Sequence, residues 1–250
     1  MEVNVRVGEK NYKIEKGRSL FDLIMKNMPN ARFGIVAAKN GEDIIELGIS
    51  VENDIDIEWI SSSSADGLRI LRHSASHIMA AAVKTLFPDT KISIGPATDD
   101  GFYYDFDSEH RFNEEDFTKI ESEMQKIIDS DVLFVKSEIN INDAIKKFKN
   151  ENEIYKVELL EELKDQVITL YKNGEFIDLC RGPHAPSTGY IKAFKLLKIA
   201  GAYWRGSEKN KMLQRIYGTA YADSKSLKQY LNLLEEAKER DHRKIGKEMN

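Results

Sequence analysis

Four consecutive serines at positions 61–64 divide the sequence into two segments with different hydrophobic patterns. Before the serines, apolar residues alternate with polar ones over residues 3–7 and again over residues 55–59, which is the period of a β-strand. Small polar residues in a row are typical of a linker, because they offer no apolar face for packing. The pattern therefore predicts a small α+β domain over residues 1–62, with a linker after it.

The second segment, residues 63–224, has the pattern of a larger α+β domain. A helix is predicted to begin with Asp66 as its N-cap and to end before Pro88, which cannot continue a helix. Residues 102–106 place aromatic side chains at alternate positions, as in a half-buried strand. Beyond this domain, apolar residues at helical spacing predict an amphipathic linker helix over residues 225–250.

Composition excludes several classes of protein. The net charge of −5 gives no overall positive field for nucleic acid, so any RNA contact needs a local basic patch. Cys180 is the one cysteine, which excludes a disulfide framework and zinc modules built from four cysteines. No apolar run approaches the roughly 18 residues of a membrane span, and residues 1–10 do not resemble a signal peptide. We therefore expect a cytoplasmic protein without a membrane partner.

Histidine and cysteine residues fall into two pairs with the same spacing. His73 and His77 lie four residues apart in the predicted helix, so both imidazoles project from one face about 6 Å apart. Cys180 and His184 flank a Gly-Pro turn about a hundred residues later. Each pair taken alone is more simply a structural or exposed feature. Together they form a candidate site, provided that the fold brings them into contact.

Two kinds of site remain open for these four residues. Three nitrogen ligands and one thiolate make a donor set for tetrahedral zinc. The same residues equally suit a metal-free site, in which a histidine near its ordinary pKa positions and activates water. The HExxH motif of metalloproteases is absent, because Ser74 stands where that motif has the glutamate that acts as general base.

A basic stretch follows the second pair. Residues 189–215 contain seven basic residues and a single acidic one, interleaved with aromatic rings. Cations that neutralise phosphates beside rings that stack on bases are typical of single-stranded RNA binding. A polar surface over buried aromatic side chains is the alternative interpretation. The residues that we expect to contact RNA are Lys195, Lys198, Arg205, Lys211 and Arg215.

Several longer strings resemble the bacterial threonyl-tRNA synthetase family. They are HSASH at 73–77, GFYYDFD at 101–107, DLCRGPHAPSTG at 178–189, AGAYWRG and NKMLQRIYGTA within 200–220, and DHRKIGKE at 241–248. The strings are long and occur in the order of the family, and they are dense from about residue 66 to residue 248. Residues 1–62 resemble the family more loosely.

The resemblance implies a fold and a set of domains. Residues 1–62 would be a TGS domain, which is a β-grasp module. Residues 63–224 would be the editing domain that threonyl- and alanyl-tRNA synthetases share as their second additional domain. Residues 225–250 would form a linker helix that leads to a class II catalytic core beyond residue 250. The implied fold class is α+β throughout.

The resemblance also implies an activity, the hydrolysis of serine mischarged onto tRNA(Thr). An aminoacylation site for threonine accepts serine to some extent, because the two differ by one methyl group, which is worth only about 1–3 kcal/mol of discrimination. A second site can hydrolyse the serine ester, while the methyl group of threonine keeps the correct product out. The chain would therefore be the editing region of a threonine–tRNA ligase.

The residues implied to surround this reaction come from both pairs and from three further positions. They are His73, His77, Cys180, His184, Asp178, Lys156 and Tyr104. We expect His73 and His77 to orient and activate water. Asp178 would hold the ammonium or a hydroxyl group of the substrate, and Lys156 would contact the ribose or the ester. The basic residues of 195–215 would contact tRNA.

The resemblance carries expectations about cofactors and partners. Editing is expected to require no metal, with zinc at the two His/Cys pairs as the alternative. ATP, magnesium and a catalytic zinc would belong to the core beyond residue 250. The expected partner is the acceptor end of tRNA(Thr). The parent enzyme would dimerise through that core, and this fragment alone would be a monomer.

Three other functions stay open. A non-catalytic tRNA-binding adaptor would use the basic stretch alone, and its binding would be indifferent to His73 and Cys180. A stand-alone, zinc-dependent aminoacyl-tRNA deacylase would lose its activity to chelators. A regulatory protein with a TGS domain would need a GTPase or nucleotide synthetase motif, and the sequence contains neither a GxxxxGKS nor a GxGxxG string.

Overall fold

The computed structural model describes residues 1–163 and 166–248, with residues 241–248 described by their backbone alone. The helices of this part are α1 (Leu20–Asn27), α2 (Ala65–Leu86), α3 (Glu114–Asp129), α4 (Ile141–Asn150), α5 (Ile154–Glu162) and α6 (Ser224–Glu248). The strands are β1 (Glu2–Val7), β2 (Lys10–Glu15), β3 (Ile35–Asn40), β4 (Asp43–Glu46), β5 (Ile55–Ser61), β6 (Lys91–Ile92), β7 (Phe102–Asp107), β8 (Phe134–Asn140), β9 (Val167–Asn173), β10 (Phe176–Leu179), β11 (Ala193–Tyr203) and β12 (Met212–Tyr221).

The first sixty residues form one mixed sheet with a helix packed against it. The strand order is β2-β1-β5-β3-β4, in which β1 and β5 run parallel and the remaining pairs are antiparallel. Helix α1 begins with a capping box between Ser19 and Asp22 and buries Leu20, Leu23 and Ile24 against this sheet. The arrangement is the α+β architecture predicted for this segment.

The four serines do not form a linker, so that prediction is wrong. Ser61 is the last residue of β5, and the Ser64 side chain accepts a hydrogen bond from the Gly67 backbone N–H at 3.1 Å as the N-cap of α2. A serine hydroxyl satisfies a helix N-terminus as well as a carboxylate does. Asp66 therefore lies inside the first turn instead of capping it, and it forms an ion pair with Lys39 of β3.

Helix α2 lies at the centre of the larger segment. It packs on β7, β12 and α3, and residues such as Ala75, Ile78 and Met79 are fully buried. The strands around it form a second sheet in the order β11-β12-β7-β6. The same hydrophobic core also includes Val36 and Ile60 of the first sheet. The two segments are therefore joined by packing as well as by the chain, and the domain limits 1–62 and 63–224 stay predictions.

A third sheet, β10-β9-β8, carries the loop that completes the site. Helices α4 and α5 cover it through a separate apolar cluster that includes Phe148, Leu160 and Leu170. Strand β10 ends at Leu179, directly before Cys180. Gly182 then turns the chain with a positive φ of 76°. This loop runs back against α2.

The predicted linker helix corresponds to α6, with small differences at its ends. It begins at Ser224, and Asp223 accepts hydrogen bonds from the backbone N–H and the hydroxyl group of Ser226. Residues 249–250 of the predicted span 225–250 lie outside the described residues. Within 1–163 and 166–248, no helix is both long and apolar enough to cross a bilayer.

We predict that Gly67→Ala destabilises the protein. A Cβ atom at Gly67 would lie 1.9 Å from the carbonyl oxygen of Ser61, so α2 would have to move away from β5. We expect the free energy of unfolding to fall by about 1–3 kcal/mol, although alanine is the better helix former by about 1 kcal/mol. Urea denaturation followed by circular dichroism measures this. Gly34→Ala is the control, because its Cβ would meet open space. Unchanged or increased stability in Gly67→Ala would contradict the close contact.

Candidate functional site

The site lies where the middle of α2 meets the loop after β10. Successive turns of α2 place the rings of His73 and His77 side by side, with centroids 5.2 Å apart. The loop brings Cys180 and His184 to the same place, and the ring of His184 lies 4.2 Å from that of His73 and 4.3 Å from that of His77. The structure thus brings together all four residues of the two sequence pairs.

The cluster is compact enough for its side chains to bond directly to one another. The Sγ atom of Cys180 lies 3.3 Å from Nε2 of His73 and 3.2 Å from Nε2 of His184. With the nearest nitrogen of His77 included, the four candidate ligand atoms lie within 4.8 Å of one another. His77 and His184 are buried, whereas His73 and Cys180 are partly exposed.

Burial keeps this cluster uncharged at neutral pH. Removal from water lowers the pKa of His77 to about 3 and lowers the pKa values of His73 and His184 below their usual range. The same cause raises the pKa of the Cys180 thiol to about 12. Three neutral imidazoles therefore surround a protonated thiol.

These protonation states fix the direction of each hydrogen bond. Nδ1 of His73 lies 3.1 Å from the Pro183 carbonyl oxygen, which only accepts, so Nδ1 carries the proton and Nε2 has a free lone pair. The Cys180 thiol donates to that lone pair, and Cys180 accepts from Nε2–H of His184. Nδ1 of His184 then accepts from the Ser74 hydroxyl at 3.1 Å. A continuous chain of hydrogen bonds ends at the basic nitrogen of His73.

Ser74 and Glu46 are two contributors that sequence reasoning missed. The Ser74 hydroxyl contacts Nδ1 of His184 and accepts the Ala185 backbone N–H at 2.9 Å. Its place beside His73 in the HSASH string was the available signal. Glu46 of β4 accepts the His184 backbone N–H at 2.6 Å. No local pattern in the sequence points to this second contact, which joins residues 138 positions apart.

A buried ionic network adjoins the cluster. Asp178, the third residue of β10, lies 2.5 Å from Nζ of Lys156 and accepts the Tyr104 hydroxyl at 2.5 Å. Lys156 also donates to the Tyr104 oxygen at 3.0 Å, and all three side chains are at least 98% buried. A buried ion pair is maintained only when hydrogen bonds satisfy its remaining atoms. Nε2 of His77 lies 3.8 Å from the same carboxylate.

Two cavities meet the cluster from different sides. One, of about 320 Å³, is lined by His73, Arg69, Pro96 and Pro183, with Ile44 of the first sheet as a further wall. The other, of about 310 Å³, reaches Cys180 beside β9 and α5. A larger cavity of about 550 Å³, next to β10, is lined by other residues. A small ligand can therefore approach His73 or Cys180 without entering the core.

The donor set has the chemistry of a zinc site, but its spacing is not that of a bound ion. Zinc bonds place tetrahedral ligand atoms roughly 3.3–3.8 Å apart, whereas the two Cys180–histidine distances are 3.3 and 3.2 Å and the four ligand atoms spread over up to 4.8 Å. Metal-bound histidines usually donate their other ring N–H to an oxygen. His73 does so towards Pro183, whereas Nδ1 of His77 is buried without a partner among the described residues. Zinc would also have to displace the proton of the Cys180 thiol.

Most of the predicted RNA-binding residues are engaged with carboxylates. The ion pairs are Lys195 with Glu121, Arg205 with Glu158 and Glu162, Lys211 with Asp107, and Arg215 with Asp105. Lys198 lies over the ring of Tyr217, with Nζ 4.8 Å from the centroid. These pairs reduce the free positive charge that the sequence suggested for 189–215.

Arg215 lies on the face of its sheet that points away from the cluster. It sits opposite Asp105 in the β12–β7 register and forms an ion pair with it at 2.6 Å. Successive side chains of a strand point to opposite faces, and the neighbouring Tyr104 reaches Asp178. Arg215 therefore lies outside the His/Cys cluster and stabilises the sheet through Asp105, and its contact with tRNA stays a prediction.

We predict that Cys180 reacts slowly with iodoacetamide in the folded protein. A thiol pKa of about 12 against an ordinary value of 9.0 leaves about 1000-fold less thiolate at pH 8. Mass spectrometry of the alkylated protein measures the rate, and the chain has a single cysteine, so the label reports Cys180 alone. The same protein in urea serves as the reference. Equal rates in the folded and unfolded states would contradict the burial of the thiol.

We predict that stability falls as the pH drops below neutrality. The unfolded chain binds protons at His77 near pH 6.5, whereas the folded protein does not until about pH 3. This stabilisation is complete above pH 6.5 and is lost as the pH falls, by about 2 kcal/mol at pH 5. Urea denaturation at pH 7 and pH 5 should show a smaller fall in the free energy of unfolding for His77→Gln than for the wild type. Identical falls in the wild type and in His77→Gln would refute the assignment.

Comparison with known proteins agrees with this geometry. Residues 168–217 match the family described as the threonyl and alanyl tRNA synthetase second additional domain. A threonine–tRNA ligase of Clostridium tetani is 50% identical over 239 residues, which is 95% of this chain and 37% of that protein. The threonine–tRNA ligase of Geobacter sp. strain M21 is 47% identical over the whole of this chain, which covers 39% of that protein. The one of Lawsonia intracellularis is 59% identical over 191 residues, which is 76% of this chain and 30% of that protein.

The chain thus spans less than two fifths of the length of these relatives. The matched family residues include all of β10 and β11 and most of β9 and β12, together with the loop that carries Cys180 and His184. The predicted fold class, α+β with a second additional domain, is confirmed. The chain is similar, along its whole length, to part of the threonine–tRNA ligases.

Proposed function

We propose that this chain is the editing region of a threonine–tRNA ligase and hydrolyses the ester of tRNA(Thr) mischarged with serine. The observation that carries the proposal is the meeting of three neutral imidazoles and a thiol at the edge of a cavity, beside a buried Lys–Asp–Tyr network. The similarity to threonine–tRNA ligases over the full chain supports the choice of substrate.

His73 is the general base in this proposal. Its Nδ1–H is held by the Pro183 carbonyl, so its basic nitrogen is Nε2, and the residue lines the cavity of about 320 Å³. Nε2 accepts the Cys180 thiol proton in the free protein, so the attacking water takes the place of that contact. Its lowered pKa keeps it unprotonated at pH 7 and able to take a proton from water. His77 and His184 hold the ring from two sides and orient the water with it.

Asp178, Lys156 and Tyr104 bind the substrate in this proposal. Asp178 already accepts the Tyr104 hydroxyl, Lys156 and the Leu179 backbone N–H, so its carboxylate is fixed in place. All three substrate-binding side chains are buried and none lines the cavities at His73 and Cys180, so a substrate ammonium reaches Asp178 only when the residues that cover it move. Lys156 uses two of its N–H groups on Asp178 and the Tyr104 oxygen. Its third N–H is the one assigned to the ribose or the ester.

Zinc is an alternative within the same site. The residues that would hold the ion are His73, His77, Cys180 and His184. Zinc would supply Lewis-acid chemistry for a water molecule only if one of these four left its position open, because four protein ligands close a tetrahedral site. Asp178 and Lys156 would keep their role in either case, because they bind the substrate and not the metal.

The wider assignment belongs to the same proposal. The first sheet is a TGS domain, and these residues act within a longer cytoplasmic ligase whose ATP, magnesium and catalytic zinc sites lie in other parts of that enzyme. The acceptor end of tRNA(Thr) is the partner. The parent ligase is a dimer through its core, and the present chain alone is a monomer. The support is the similarity to relatives of which this chain spans 37 to 39%.

A direct test compares the deacylation of Ser-tRNA(Thr) and Thr-tRNA(Thr) by this chain. We expect faster loss of serine than of threonine, and we expect His73→Ala to lower the rate by on the order of 10² to 10⁴, the usual value of a general base. His110→Ala, which changes an exposed histidine, should match the wild type. Filter binding with uncharged tRNA checks that His73→Ala still binds.

The remaining outcomes separate the alternatives. Loss of activity with EDTA would keep the editing function and make it zinc-dependent. Binding of tRNA without hydrolysis of either ester would favour the non-catalytic adaptor. Unchanged deacylation in His73→Ala would remove His73 from the role of base.

A further inference from the structure

Glu46 belongs to the first sheet, yet its carboxylate contacts the loop that carries two of the site residues. It is the last residue of β4. Its Oε1 atom accepts the His184 backbone N–H at 2.6 Å, and both of its oxygens lie 2.9 Å from the Tyr171 hydroxyl of β9. One carboxylate thus links the first sheet, the third sheet and the loop.

The loop has little freedom around this contact. Gly182 adopts a φ of 76°, and a Cβ atom there would lie 2.2 Å from the Tyr171 hydroxyl oxygen and 3.1 Å from Oε1 of Glu46. The carboxylate, the hydroxyl and the loop backbone are therefore in van der Waals contact. Removal of the Glu46 carboxylate would leave the His184 N–H and the Tyr171 hydroxyl without their acceptor. An unpaired buried polar group costs free energy, so the loop would shift to find another partner.

The backbone of His184 determines where its ring lies. The ring stacks on Phe134 at a centroid distance of 4.8 Å and an angle of 2°, and its Nε2 lies 3.2 Å from Sγ of Cys180. Ser74 holds the far side of the ring through Nδ1. Glu46 is the contact that fixes the peptide N–H of the same residue, so a shift there displaces His184 against Cys180 and His73.

We propose that Glu46 is a positioning residue for the candidate site. Through it, the first sheet holds His184 where its ring contacts Cys180 and His73. The inference rests on the proposed editing function for its effect on rate. Its effect on the loop does not depend on that function. Glu46 does not touch the cavity beside His73, so it acts through His184 and not on the substrate.

A simpler role for Glu46 would be to attach the first sheet to the rest of the chain. Arg32 provides the matched control for that role. Its guanidinium forms an ion pair with Asp131 at 2.6 Å and so joins the same two parts of the chain. Its second hydrogen bond within the described residues, at 3.4 Å, goes to the Ser187 hydroxyl, three residues beyond His184, and none goes to residues 180–184. If Glu46 only attached the first sheet, Glu46→Ala and Arg32→Ala should have similar effects on deacylation and on the alkylation of Cys180.

The first measurement is steady-state deacylation of Ser-tRNA(Thr) by Glu46→Ala, Glu46→Gln and Arg32→Ala. We expect Glu46→Ala to lower kcat by on the order of 10- to 100-fold, with KM close to that of the wild type. Glu46→Gln should recover much of the loss, because its amide oxygen still accepts the His184 N–H. Arg32→Ala should keep the wild-type kcat.

The second measurement needs no enzymatic activity. Alkylation of Cys180 by iodoacetamide, with EDTA present, reports local opening of the loop. Glu46→Ala should raise the rate on the order of 10-fold, and Arg32→Ala should not. Thermal unfolding of each variant checks that the fold is intact.

Three results would overturn the inference. They are equal effects of Glu46→Ala and Arg32→Ala in the alkylation assay, no effect of Glu46→Ala in that assay, and a change of KM alone where deacylation is measurable. If the wild type does not deacylate but alkylation rises only in Glu46→Ala, the positioning role stands and the proposed function fails.

Discussion

The burial of helix α2 is the constraint on which the rest of the structure depends. The helix is enclosed by α3, by the β12–β7 face and by residues of the first sheet, so its rotation about its own axis is fixed. That rotation directs His73 and His77 to the one place where the loop after β10 crosses the helix. A helix free to turn on a surface would present the same two rings without a defined partner.

Exclusion of water from the site accounts for its chemistry. Burial removes the charge from the imidazoles and from the thiol, and the nearby charge on Asp178 is balanced by Lys156. A neutral imidazole with a fixed tautomer is the form that accepts a proton. The three imidazoles are therefore unprotonated at neutral pH, and the Asp178 charge beside them is compensated.

The sequence was sufficient for the features that depend on nearby residues. Strand alternation and the end of α2 before Pro88 follow from local rules. The shared face of His73 and His77 follows from helix geometry alone. Features that join distant residues were not accessible in this way. The contacts of Ser74 and Glu46, and the ion pairs that occupy the basic residues, depend on which strands become neighbours, which no local spacing specifies.

The core that both segments share has a consequence for truncation of the chain. Val36 and Ile60 complete the packing around α2, so a cut after residue 62 would expose an apolar strip on the longer piece. The first sheet and α1 also have an apolar core of their own. The longer segment, expressed without the first sheet, should therefore be more prone to self-association than the whole chain.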